Sequence, residues 1–264
     1  TNMDAMTIPA AGGIDSTAVI MGDFSNGNDG LILKDKKSLA DIKGQKVNLV
    51  ELSVSHYFLA RALESVNLSE KDITVVNTSD ADMVSAYSSD EVTAMATWNP
   101  QLSEIIANNK SANLVYDSSK IPGEIIDMLV INTETLNDNP KLAKALTGAW
   151  FEVMALMKEG DEKALTFMAE ASGTDLAGYK SQLDSTMMFY DASEAVKFAV
   201  SPSLPETMKK VSEFSFDHGI LGEGAPNPEF IGMEFPGGKT FGDTNNIKLR
   251  FTDTYVKMAA EGKL

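Results

Sequence analysis

Between residues 47 and 117 the apolar and polar positions change period in a regular way. VNLVEL (47–52) is an apolar run of strand length, and after it Phe58, Leu59, Ala62, Leu63 and Val66 recur at helical spacing. ITVVNT (73–78), a helical stretch from Asp80 to Tyr87, TAMATW (93–98), a helix from Pro100 to Asn108 and NLVYD (113–117) continue the alternation. Proline suits the first turn of the fourth of these segments, where its missing N–H is not needed. Strands alternating with helices at this spacing predict right-handed βαβ units and a parallel sheet covered on both faces. Ligands of such sheets lie beyond the carboxyl ends of the strands. Glu51–Tyr57, Thr78–Asp82 and Trp98–Asn99 are therefore expected along one rim.

Two short apolar segments flank this block, GLILK (30–34) and IIDMLVIN (125–132). Beyond Asn132 the pattern is mainly helical, with segments at Lys141–Met157, Asp161–Ala171, Leu176–Thr186, Ala192–Ala199, Pro205–His218 and Thr252–Glu261. GEGAPNP and FPGGKTFGD read as loops, since Gly and Pro punctuate regular structure. The organisation expected is an α/β lobe of residues 34–127 inserted into a discontinuous lobe of residues 1–33 and 128–264. GLILK and DMLVI would then be two crossover strands lying side by side, an arrangement suited to hinge closure over a ligand.

The rim segment ELSVSHY places hydroxyls, a histidine and a tyrosine where a helix begins. The first turn of a helix has free N–H groups and a partial positive charge, so it can hold a small polar ligand. The ordinary role of Ser53 or Ser55 there is an N-cap, and His56 is more often solvated or capping than ligand-binding. Trp98 ends an apolar strand and suits either the core or a ligand-facing position. Asn99 suits an N-cap before Pro100 equally well, and Asp29, between Gly27 and Gly30, suits a turn. His218 falls at a helix end, where the dipole favours a cation.

Composition narrows the function classes. A chain of 264 residues with 43% hydrophobic residues supports one or two domains with a sizeable core. Its net charge of −16 argues against nucleic-acid partners, which need clustered Lys and Arg. No apolar run approaches the roughly 18 residues of a membrane span, and no secretory signal is legible at the start. With no cysteine, disulfides, Cys–zinc sites and thiol nucleophiles are excluded; with two histidines, a His-rich metal centre is not expected. No cofactor or metal is implied.

DIKGQKVNLVELSVSHYFLARALE, VVNTSDADMVSAY and TAMATWNPQLSEI together resemble the periplasmic solute-binding proteins of nitrate, sulfonate and taurine ABC transporters, a group that includes relatives of the thiamine-pyrimidine synthases. TNMDAMTIPAAGGIDSTAVIMGDFSNGND and SSKIPGEIIDMLVINTETL resemble more narrowly a branch associated with urea carboxylase, the urea and guanidine carriers. The resemblance implies a two-lobed type II periplasmic-binding-protein fold, α/β with parallel or mixed sheets flanked by helices. It implies a periplasmic location, a small-molecule solute and ABC permease transmembrane subunits as partners, and no enzymatic activity. Carried over by position, the ligand-binding set is Asn2, Asp4, Asn28, Asp29, Glu51, Ser53, Ser55, His56, Tyr57, Trp98, Asn99, Glu124 and Asp127. Two departures stand out. Family members begin with strands that precede TNMD, so an N-terminal part of the first lobe is expected from residues outside this sequence or from another chain. The common Gly-x-Val-Asp-Ala before the tryptophan strand is Asp90-Glu91-Val92-Thr93-Ala94 here.

The residue types on these segments bear on ligand charge. Lys and Arg are absent from TNMD, SNGND, ELSVSHY, TWNP and GEIID, while Asp4, Glu51, Asp127 and Trp98 are present. Carboxylates pair with a guanidinium fork and Trp favours a cation over its face, so a urea- or guanidinium-like solute is expected. A small anion such as a sulfonate, taurine or nitrate, held by hydroxyls and helix N-termini, is the alternative. A synthase-like enzyme is a further one, opposed by the absence of cysteine. A hydrolase would need a nucleophile–base pair, and Ser55 beside His56 are chain neighbours whose side chains diverge.

Overall fold

The computed structural model describes residues 1–264. Its eleven strands are β1 (Ser16–Ser25), β2 (Asp29–Lys34), β3 (Lys46–Leu49), β4 (Thr74–Asn77), β5 (Ala94–Trp98), β6 (Ala112–Asp117), β7 (Ile126–Asn132), β8 (Thr186–Met188), β9 (Gly232–Phe235), β10 (Lys239–Phe241) and β11 (Ile247–Phe251). They form two mixed sheets flanked by helices, as the α/β expectation has it. The chain divides into two compact units, one of Thr1–Phe24, Gly123–Tyr179 and Met187–Leu264, the other of Ser25–Pro122 with Lys180–Thr186. Those boundaries lie at 24/25 and 122/123, not at 33/34 and 127/128.

In the second unit the strand order is β4-β3-β5-β2-β6. β3 runs parallel to β4 and to β5, and β2 is antiparallel to both β5 and β6, so β3 to β6 share one direction. The expected parallel strands are therefore present, with GLILK wedged between two of them. That corrects the crossover expectation: β2 belongs to this sheet, whereas DMLVI lies in β7 of the other sheet and pairs with β1. The reason is burial. Gly30, Leu31, Ile32 and Leu33 are all enclosed, and Ile32 joins Met83, Tyr87, Met95, Leu102 and Ile105 in the core. A run with both faces covered belongs in a sheet interior.

The first unit has the order β10-β9-β11-β1-β7, with β8 also pairing β1. β1 is buried along nearly its whole length, which is why STAVIM shows no alternation. FPGGKTFGD, read as loop, contains β10 and the last residue of β9, and these two strands form a hairpin whose connection places Gly237 and Gly238 at positive φ, where L-residues are strained. Helix Pro140–Glu159 covers part of the sheet, starting with Pro in its first turn and ending at the left-handed Gly160. It buries Ala143, Thr147, Met154 and Met157.

The pairing of β1 with β7 is irregular at one place that matters below. Met21 faces Met128, but the next Cα pair is Asp23 with Asp127, so Gly22 is the extra residue of a bulge. Its backbone is close to an indole: a Cβ on Gly22 would lie 2.5 Å from Trp150 Cζ2. Its carbonyl accepts from the Phe189 N–H at 3.0 Å. Phe24, one residue on, sits among Phe189 and Phe198 with centroids 5.9 and 5.7 Å away.

Replacing Gly22 by alanine should cost about 1–3 kcal/mol, because the indole cannot retreat from a close-packed face without displacing its neighbours. Urea unfolding of the G22A protein measures this; a loss under a few tenths of a kcal/mol would show that the close approach is dispensable.

Candidate functional site

The carboxyl ends of β3, β4, β5 and β6 and the start of β2 lie at one edge of the second unit's sheet. Register fixes this: Leu49 is beside Asn77, Trp98 opposite Asp29, and Asp117 opposite Gly30. Glu51–Tyr57, Thr78–Asp82 and Trp98–Asn99 follow directly from those strand ends.

The turn after β3 is tightly held. Leu52 adopts φ of 63°, a left-handed conformation that costs a non-glycine residue roughly 1–2 kcal/mol. Three side chains hold it there. Asn77 Oδ1 accepts from the Glu51 N–H at 3.0 Å, His56 Nδ1 accepts from the Leu52 N–H at 3.1 Å, and the Ser53 hydroxyl donates to the Val50 carbonyl at 2.6 Å. Ser53 also caps helix Val54–Ser65 through the Ser55 N–H. Because His56 Nδ1 accepts, the ring proton is on Nε2, which is directed at the Glu70 carboxylate. His56 thus positions the rim backbone, and with both ring nitrogens engaged it is no base for Ser55. His56 and Tyr57 are buried, and the Ser55 hydroxyl is enclosed without a hydrogen-bond partner. The Glu51 side chain is exposed.

Around Asp29 a buried network closes the loop 25–29. The Ser25 hydroxyl donates to Asp29 Oδ2 at 2.6 Å and lies 2.6 Å from the Ser118 hydroxyl, which accepts from the Gly27 N–H at 2.7 Å. Asp29 is therefore a structural acceptor within the turn. Asn28 contributes its carbonyl to the Asn99 N–H at 3.0 Å. Asn99 Oδ1 accepts from the Ser103 N–H at 3.1 Å and its amide donates to Ser185 at 3.2 Å. Trp98 is half-buried at the end of β5.

In the first unit the structure separates the remaining candidates. Asn2 is buried and bonded to backbone on both sides: its amide donates to the Glu124 carbonyl at 3.1 Å and its oxygen accepts from the Ile126 N–H at 3.1 Å. Asp4 closes a capping box with Thr1, whose hydroxyl donates to it at 2.7 Å. The Glu124 carboxylate is neutralised by Lys210 at 2.6 Å. Asp127, exposed at the start of β7, is brought against a residue that the sequence reading passed over, Asp23. Asp23 is 7% exposed, and its Oδ1 has no hydrogen-bond partner. Burial, then the charge of Asp127 and a hydrogen bond to it, push the Asp23 carboxyl up to about 8. Tyr179 is nearby; burial, followed by Tyr190 and Asp23, raises its hydroxyl above the ordinary tyrosine range. The legible signal was a lone carboxylate in the apolar run STAVIMGDF.

The model of the family described as NMT1/THI5 like matches residues 24–164, just over half of the chain. The chain belongs to the NMT1/THI5-like family. Over 181 residues it is 23% identical to a protein of Brucella abortus (strain 2308) provisionally named a binding protein, a match covering 67% of this chain and 56% of that one. Over 148 residues it is 25% identical to an Escherichia coli (strain K12) protein provisionally named an aliphatic sulfonates-binding protein, covering 56% of this chain and 46% of the relative. The chain thus spans about half the length of these relatives. In fold it is similar to the crystal structure of the periplasmic aliphatic sulphonate binding protein SsuA from Escherichia coli, with a TM-score of 0.69, 19% identity, and coverage of 82% of this chain and 73% of that one. The architecture of this family member is therefore that of periplasmic binding proteins.

The carboxyl pair makes stability depend on pH. Between the ordinary aspartate value of 3.8 and about 8, folded Asp23 keeps a proton that the unfolded chain has released. Folding then takes up a proton, so this group's contribution is complete at low pH and declines as pH rises through that window, by up to about 1.4 kcal/mol per pH unit. Asp23→Asn should flatten that decline and leave the variant more stable than the parent at pH 8. Chemical denaturation from pH 5 to 9 checks it; parallel curves for the two proteins would show that Asp23 ionises normally.

Proposed function

We propose that this chain is the solute-binding component of an ABC importer, working outside the cytoplasmic membrane with permease transmembrane subunits, and that its solute is small, polar and rich in N–H donors, of the urea or guanidinium type. Family membership and the binding-protein names of its relatives support the general role. The single observation that carries the ligand class is the Asp23–Asp127 pair, two carboxyls on facing strands with one oxygen unpartnered. Such a pair accepts N–H donors and repels anions.

The second reading, a small sulfonate, is favoured by one relative's name and by the start of helix Val54–Ser65, where the buried Ser55 hydroxyl is unpartnered beside a partial positive charge. An enzymatic role has little support: the relatives are named for binding, the chain has no cysteine, and His56 is engaged on both nitrogens.

A thermal-shift screen of the protein against urea, millimolar guanidinium, taurine, ethanesulfonate and nitrate tests both readings. A solute at one hundred times its dissociation constant adds about 2.7 kcal/mol, or roughly 5–10 °C in midpoint for a protein of this size. A shift with guanidinium or urea and none with the anions is expected. The reverse would establish the sulfonate reading, and no shift with any of them would remove the importer role for these solutes.

A further inference from the structure

We propose that Asp23 is the specificity-determining acceptor of the solute site: a small organic cation with at least two N–H donors binds against the Asp23–Asp127 pair. This deepens the reading given under Proposed function and rests on it.

Four observations carry the inference. The bulge at Gly22 brings Asp23 opposite Asp127, where an uninterrupted register would have placed Ile126. Phe24 is packed among Phe189 and Phe198, which fixes the strand at the next residue. The Asp23 side chain is more than nine-tenths buried, yet Oδ1 has no partner. A buried acceptor left unmet is destabilising, so a donor arriving there gains more than it would at an exposed carboxylate. Finally, Asp127 is exposed, so the pair opens to solvent on one side.

The side chains facing Asp23 are Asp127 on β7 and the Tyr179 hydroxyl on helix Leu176–Asp184. Tyr179 is held above its ordinary range and stays neutral at physiological pH. Burial, and with it the charge of Asp127, works to keep a proton on Asp23. A guanidinium or ammonium group supplies the donors that the proton supplied, together with a full positive charge. The balance is simple: the protonated pair and the cation give the ionised pair with its bound cation, and one proton passes to the buffer. An anion gains nothing from this exchange.

Calorimetry of the protein with guanidinium chloride, from pH 6 to 9 at fixed ionic strength and in two buffers of different ionisation enthalpy, tests this. Guanidinium stays charged throughout. Affinity should rise about tenfold per pH unit below about pH 8 and level off above it, with about 0.9 proton released per ligand at pH 7. Asp23→Asn should abolish the pH dependence and weaken binding at least tenfold at pH 8.5. Asp127→Asn should move the break to lower pH, because the neighbouring charge is gone; this variant and the parent's proton count decide the matter if the Asp23 variant does not fold. Guanidinium binding without proton release and indifferent to both substitutions would overturn this inference and leave the proposed function standing. Failure of guanidinium to bind at any pH while taurine binds would overturn the ligand class and this inference with it.

Discussion

Two carboxyls placed directly opposite one another on antiparallel strands, one of them enclosed, cannot both ionise without a counter-charge. Like charges in that relation oppose strand pairing, and burial penalises the charged form further. The first unit accepts this conflict through a specific local device. Gly22 is an extra residue in β1, seated against Trp150, and it shifts the register so that Asp23 rather than its neighbour faces Asp127. A proton resolves the conflict in the free protein; a cation with N–H donors resolves it in another way. The proposed ligand class and the expected pH response both follow from that one contact.

The second unit's rim is built on the opposite principle. Its polar side chains are mostly engaged with one another and with the backbone: His56, Ser53 and Asn77 stabilise the left-handed Leu52, and Ser25, Asp29 and Ser118 close the loop before β2. These residues give the edge a fixed shape. Few polar or aromatic side chains of the candidate set remain uncommitted there: Trp98 is half-buried and the Glu51 carboxylate is exposed. A backbone held in an unfavourable conformation by three side chains is the sort of preorganisation that accompanies binding edges.

The division between what the sequence revealed and what it hid follows the same physics. VNLVEL, ITVVNT and TAMATW were legible because a change from strand to helical period is visible in one dimension, and their shared edge followed from the βαβ rule. β1 was not, since a strand covered on both faces shows no alternation. β9, β10 and β11 were hidden by the glycines and prolines of their turns, and β2 looked like a crossover until its pairing with β5 and β6 was known. Asp127 came from a family resemblance. Asp23 could not be found that way, because its partner depends on a one-residue bulge that no periodicity records. Asn2, Asp4, Asp29 and Glu124 show the converse: each has a residue type suited to ligands, and each is committed to a cap, a strand, a turn or a lysine.

The most direct measurement is an NMR titration of the side-chain carboxyl carbon of Asp23 in the solute-free protein, with the resonance assigned through Asp23→Asn. The shared-proton pair requires an ionisation midpoint near the value of about 8 set by burial and Asp127. A midpoint below 5, in the range of an ordinary exposed aspartate, would mean that the two carboxyls do not share a proton and that the cationic site does not exist.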